Sequence, residues 1–355
     1  MRICCIFALM KKISAIISAL LLVFLFQSCD NEVSTIGEWE DITAVYGLLN
    51  QNDSISYIKI TKAFLGEGNA LTFAQVADSS EYDIRLEVSV EEYNEGQYVK
   101  TIDFDTTTVY NKEEGIFYSG AQQVYKAVTK NMLDDGNTYK LVIHNPETGK
   151  TITGETSLVD GSMVINKPII NNAARPTINI QDNEYPKEVQ VTTTKNGRRY
   201  GVYATFHYEE VFVGDTTPVQ KSIVWRSFPV RKSSGIEGGD ETLNFDFITH
   251  SFWDWLTESV PYEDLDTEDS VEERYAGQLV FTFEVAEDQF NTYMEVNEPT
   301  TSIVQDRPEF TNIENGIGLF SARYSKERAF FLSEVSSNML WNDFYELKFI
   351  NPVNK

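Results

Sequence analysis

A mainly β fold in two parts is what the sequence predicts, and three observations carry the prediction. First, "YDIRLEVSVEEY" puts Ile84, Leu86, Val88 and Val90 on one face and Arg85, Glu87, Ser89 and Glu91 on the other. That period of two marks an antiparallel strand with one face buried and one wet. Second, "MLDDGNTYKLVIHN" places Leu133, a turn, Gly136 and then Tyr139 at the head of an alternating strand. This is the sequence form of a tyrosine corner, whose hydroxyl ties a late strand of a sandwich back to the preceding backbone. Third, "DGSMVINKPIINNAARPTINI" interrupts the rhythm with Pro168, Pro176 and paired asparagines, which predicts a linker. The expected architecture is an N-terminal immunoglobulin/fibronectin-like β-sandwich over 39–160, a linker over 161–176, and a β-rich second domain with a few short helices over 177–355.

The chain opens with the three parts of an export leader. Lys11 and Lys12 are the positive end, Ile13 to Phe26 is an apolar core of 14 residues, and Gln27-Ser28-Cys29 is a cleavage region. The core is too short for a comfortable membrane span. A small residue directly before a cysteine is the bacterial lipoprotein form of this signal. Residues 1–28 are therefore expected to be removed. Cys29 would then carry a diacylglycerol and an acyl chain such as palmitate on its new amine, and 29–38 would be a polar tether. Met10, directly before the two lysines, reads as the natural start. Cys4 and Cys5 fall within the leader, so the mature chain would keep no free thiol and no disulfide, and a thiolate zinc site is excluded.

The remaining elements follow in order. "ITAVYGLL", "SISYIKITKAFL" and "QYVKTIDFD" alternate with less contrast, "NALTFAQVAD" fits a short helix or a sheet-edge loop, and "KTITGETSLV" reads as the last strand of the first domain. In the second domain Asn196-Gly197 stands between two strand patterns and predicts a hairpin. "KSIVWRSFPV" and "AGQLVFTFEVA" add strands, and "NFDFITHSFWDWL" and "EDQFNTYMEVN" read as helices. On a helical wheel over 245–256, Phe245, Phe252, Trp255 and Leu256 form one apolar stripe around Ile248. Trp253 and Phe247 fall beside Asp246, His250 and Asp254, off that stripe. An exposed tryptophan can anchor a partner or stack on a sugar. Trp253 and Phe247 are thus the candidate binding residues, next to the acidic stretch 263–273.

"FTNIENGIGLFSARYS" holds the most specific local pattern. Gly316 and Gly318 precede Leu319 and Phe320, which predicts a bulged turn with a positive φ at one of the glycines, feeding a buried strand. A phosphate-cradling loop would need a following helix and a lysine, and "LFSARYS" offers neither. Residues 312–320 resemble a recurring motif, Asn-Ile-Glu-[Gly/Asn]-Gly-x-Gly-x-Phe, of a family of Bacteroidota outer-membrane lipoproteins defined by a domain of unknown function. "GNTYKLVIHNPETGKTITGETSLV" is similar to that family's Gly-x-x-Tyr strand and final hairpin. Asn315 stands where the family commonly has glycine. The resemblance implies a lipid-anchored outer-membrane protein, at the cell surface or on the periplasmic face. It also implies an accessory or ligand-binding role beside a TonB-dependent transporter. The family has no established catalytic residues, so none is carried over.

The chain holds 29 basic and 54 acidic residues, a formal net charge of −25. It has no basic stripe, so nucleic acid is not an expected partner. Asp103-x-Asp105-x-Thr107 has the spacing of a phosphotransferase loop, but its flanks alternate as antiparallel β rather than a parallel α/β sheet. His144, His207 and His250 have no metal-ligand spacing, and no Gly-x-Ser-x-Gly elbow is present. The stretch 263–273 has a calcium-loop rhythm at Asp264, Asp266 and Glu268. It lacks the turn glycine and has Tyr275 at the twelfth position, which leaves a weak irregular calcium site or a solvated loop. The expectation is a non-enzymatic envelope protein without cofactor, metal or catalytic residues. A structural or assembly protein of the envelope and a surface hydrolase with dispersed carboxylates are the alternatives.

Overall fold

The computed structural model describes residues 42–63, 81–110, 121–181, 186–239, 241–261, 270–298 and 309–351. The leader with Met10 and Cys29, the tether, "NALTFAQVAD" and most of the acidic stretch 263–273 lie outside them. The described chain is mainly β.

Alternation builds the first part. β1 (Ile42–Leu49) and β2 (Ile55–Ala63) are antiparallel, with Tyr46 opposite Lys59. β3 (Glu87–Asn94) buries Val88 and Val90 on the predicted face, and Leu86 just before it is buried too. β4 (Gln97–Val109) changes partner along its length: it pairs with β3 up to Phe104 and with β5 (Gln122–Val128) from Asp105 on. β6 (Thr138–His144) follows β3, and β7 (Thr151–Ser157) follows β6. The predicted corner is present at the head of β6. The Tyr139 hydroxyl accepts from Asp134 N at 2.7 Å and donates to Glu92 Oε1 at 3.1 Å. Lys100 Nζ lies 3.0 Å from Glu92 Oε2, so this nearly buried carboxylate has a counter-charge. Burial pushes the Tyr139 phenol well above its ordinary pKa.

The second part has two sheets. β8 (Val164–Lys167), β10 (Lys187–Thr192) and β14 (Thr242–Phe247) form a three-stranded sheet. β11 (Arg199–Phe212), β12 (Val219–Trp225) and β15 (Val271–Ala286) join the large one. The short β9 (Thr177–Ile178) and β13 (Arg231–Lys232) lie beside it, pairing with residues 331–332 and with β11 respectively. Among the described residues three helices follow their strands: α1 (Thr249–Ser259), α2 (Asp288–Asn297) and α3 (Glu334–Asn342).

β17 (Ile317–Leu332) joins the two parts. Ile317 to Ala322 run parallel to β1, and Arg323 to Phe331 run antiparallel to β15. The large mixed sheet therefore reads β12-β11-β15-β17-β1-β2-β5-β4-β3-β6-β7-β16, with β16 (Ile313–Glu314) against β7. β7, predicted as the last strand of the first domain, is thus followed in the sheet by a strand from far along the chain. Buried side chains form two clusters. One includes Val45 through Leu158 together with Ile313, Phe320 and Ala322. The other runs from Val159 to Phe349.

Two predicted connections differ in the structure. Asn196-Gly197 is not a hairpin. β10 pairs with β8 and β14, and β11 with β12, β13 and β15, so the turn is an arch between two sheets. Asn196 has φ 61°, its Nδ2 donates to Leu158 O at 2.8 Å, and Thr194 N donates to the Tyr200 hydroxyl at 2.9 Å. A turn dipeptide specifies the bend but not the strand that receives the next one. The predicted linker is docked over much of its length. It contains β8, and Tyr324, Lys326 and Arg328 donate in turn to the carbonyls of Gly161, Met163 and Pro168, at 3.1, 2.7 and 2.7 Å. Only 169–175 form a continuous exposed stretch within it.

Candidate functional site

The Gly-rich segment is the starting point of the site. Asn312 brackets Phe320: its Oδ1 accepts from Phe320 N at 2.9 Å and its Nδ2 donates to Phe320 O at 2.6 Å. Ile313 and Phe320 enter the first cluster. Asn315 takes φ 58°, and its Nδ2 donates to Thr151 O at 2.9 Å. Asparagine tolerates that left-handed backbone. A β-carbon at Gly316 would lie 2.7 Å from Thr43 O. Gly318 has φ 111°, and a β-carbon there would collide with the Val45 carbonyl oxygen. Gly318 therefore carries the positive φ, and both glycines let β17 close on β1.

The same segment sets α2. Asn312 Nδ2 also bonds Gln289 Oε1. Glu287 caps the helix, its Oε2 accepting from Gln289 N at 2.9 Å and from the buried Ser321 hydroxyl at 2.7 Å. Burial pushes the Glu287 carboxyl up, and the Ser321 hydrogen bond opposes the shift. Three ion pairs, Arg198–Asp288, Arg199–Glu298 and Lys232–Glu295, tie the helix to the start of β11 and to β13.

A cleft of about 350 Å³ opens between α2 and β2, over β1. Tyr46 lies between Lys59 on β2 and Leu319 on β17, and Phe290 and Tyr293 come from α2. Ile55 and Tyr57, two apart on β2, line its other side. Tyr46 and Tyr57 are 43% and 48% exposed. Tyr293 meets Tyr46 edge to face, with centroids 6.2 Å apart. Burial, and then the hydrogen bond to Tyr46, push the Tyr293 phenol up to about 12. At one end Arg323 Nη2 pairs with Asp53 Oδ2 at 2.9 Å. Among the described residues the lining has no histidine or cysteine, its one carboxylate is in that pair, and Ser56 is buried against Thr129 Oγ1 at 2.9 Å. Such a surface can stack rings and offer hydroxyls. The signal in the sequence was the weak contrast of β1 and β2, where tyrosines occupy the outward face.

Trp253 and Phe247 are core residues, which corrects the expectation of an exposed binding pair. The helix starts at Thr249 rather than 245, and Phe247 closes β14 with Leu243 and Phe245 buried on the same face. Helix burial then falls on Thr249, Phe252, Trp253 and Leu256, while Ile248, the centre of the predicted stripe, is 53% exposed. Trp253 is 2% exposed, donates from Nε1 to Ile180 O at 2.9 Å and stacks on Phe344 at 5.0 Å.

Asp103 and Asp105 point to solvent on β4, where Asp105 pairs with Arg85 at 3.0 Å. His144, His207 and His250 lie on three different elements. Among the described residues no group of three or more His, Cys, Asp or Glu is arranged to hold a metal, and no helix is long and apolar enough to cross a membrane. Arg274 escaped the sequence reading. Nearly buried, it pairs with Glu210 at 2.9 Å and donates to Leu347 O and Pro261 O at 2.8 and 2.9 Å, clasping the segment after α3. Neither protein-family models nor curated proteins give a match to this chain.

Proposed function

We propose that this chain is a lipid-anchored cell-envelope protein that binds a ligand without transforming it, as an accessory component beside an outer-membrane transporter. The leader order from Lys11 to Cys29 supports the anchor, and the motif resemblance supports the transporter setting. The observation that carries the binding role is the cleft: tyrosines held on a hydrogen-bonded strand pair and a capped helix, with the Arg323–Asp53 pair at one end. Preorganised rings lose little entropy when a ligand docks.

The test is made in cells. Cys29→Ala should keep its leader and lose lipid modification, and a Tyr46→Ala/Tyr57→Ala double variant should stay anchored yet reproduce the phenotype of a deletion. Mild detergent should co-extract a transporter with the wild-type protein. A double variant that behaves as wild type would rule out the cleft as the functional surface. A Cys29→Ala protein acylated and anchored as before would remove the lipoprotein reading.

A further inference from the structure

We infer that the tyrosine cleft takes a neutral oligosaccharide, an inference that rests on the cleft being the binding surface. Two observations point to this chemistry, the exposed tyrosine pair and the donors beside it. Tyr46 and Tyr57 stand on adjacent strands and the same face, with ring surface open to solvent. Aromatic faces pack against the apolar C–H faces of sugar rings, while tyrosine hydroxyls meet sugar hydroxyls. Lys59 donates to Gln122 at 3.1 Å beside Tyr46, and Lys126 lies across from Tyr57, so donors for hydroxyl oxygens flank the rings.

The charge argument selects a neutral chain. Arg323 is matched by Asp53, and these two are the charged residues of the lining, while Asp105, across from Lys126 on β4, pairs with Arg85. The whole chain carries −25, a field that repels anionic polymers at low salt. The volume of about 350 Å³ is at the small end of ligand clefts, enough for a short run of rings but not for a folded partner. An apolar peptide would leave the Arg323–Asp53 pair and the tyrosine hydroxyls facing carbon, losing their hydrogen bonds to water.

The experiment is calorimetric titration of the folded protein with neutral gluco-, manno-, xylo- and galacto-hexaoses, and with oligogalacturonate as the charged comparison. At least one neutral hexaose should bind. Tyr57→Ala should weaken it by about tenfold, the loss of one ring stack. Tyr57→Phe, which keeps the ring, should bind like the wild type. Tyr98→Ala, at an exposed tyrosine outside the cleft, should have no effect. Absence of binding by every neutral hexaose, or tighter binding of oligogalacturonate, would overturn the ligand class and leave the cleft to the cell-based test. Neutral binding that survives both Tyr46→Ala and Tyr57→Ala would place the sugar elsewhere and overturn the inference together with the cleft.

Discussion

The two buried clusters are built in different ways. Around Val88, Leu141 and Ile152 the first is largely aliphatic, and its members come from strands whose side chains alternate. In the second, Trp225, Phe247, Phe252 and Phe281 form a mesh with neighbouring rings 5.1 to 5.7 Å apart, drawn from β12, β14, α1 and β15. In an alternating strand the residues on either side settle which way a side chain faces. In a ring mesh, burial depends on which distant elements arrive. The difference teaches that a local pattern is a reliable guide only where local geometry decides burial.

The sharpest way to break this contrast is to remove one member from each cluster. Trp253→Ala should cost about 3–5 kcal/mol and Leu141→Ala about 2–5 kcal/mol, measured by urea unfolding. Because β17 feeds both clusters, each variant should lower one shared transition. Two transitions, with Trp253→Ala moving only one of them, would show the clusters to be energetically independent.

A smaller effect tests the joint itself. Gly318→Ala should cost about 1–3 kcal/mol from backbone strain, with a further penalty from contact with Val45 O. A melting temperature unchanged from wild type would mean that β17 does not need its close approach to β1.

The least costly comparison sets the two tyrosines that tie a strand to the preceding turn against each other. Tyr139→Phe and Tyr200→Phe each leave a backbone N–H without its acceptor and should cost about 1–2 kcal/mol. Burial holds the Tyr200 phenol up to about 12, against about 10 for an unfolded tyrosine. The unfolded chain therefore loses its proton first. The contribution to stability is complete below about pH 10 and is lost as pH rises toward 12. Tyr139 is shifted in the same direction. Tyrosinate absorbance and circular dichroism, followed together, should show ionisation of these groups coinciding with unfolding. Ionisation that comes well before any loss of structure would contradict the burial account.

Much of the fold was legible because its signals are local. Leu86, Val88 and Val90 declare their face within one alternating stretch, Tyr139 sits at a fixed offset from its turn, and Gly318 sits where only glycine fits. The candidate site was less legible. Tyr46 and Tyr57 look like imperfections in two strand patterns until β17 and α2 are placed beside them. Trp253 misled because the wheel counted Phe245 and Ile248, which precede the helix; without them Phe252, Leu256, Thr249 and Trp253 form one continuous buried arc. Asn196-Gly197 announces a bend, but its receiving sheet is set by pairings up to about ninety residues away. Arg274 gives no hint of burial by itself, since its partners are one distant carboxylate and two carbonyls from other segments.

β17 also sets a timetable for folding. β1 pairs with residues 317–322, so the part of the chain made early is not finished until a segment from far down the chain arrives. A nascent chain held before residue 317 would present the β1 edge bare, and an open strand edge is a template for wrong partners. Such long-range closure is slow compared with local pairing. The early region therefore completes its sheet only once its last strand has been made.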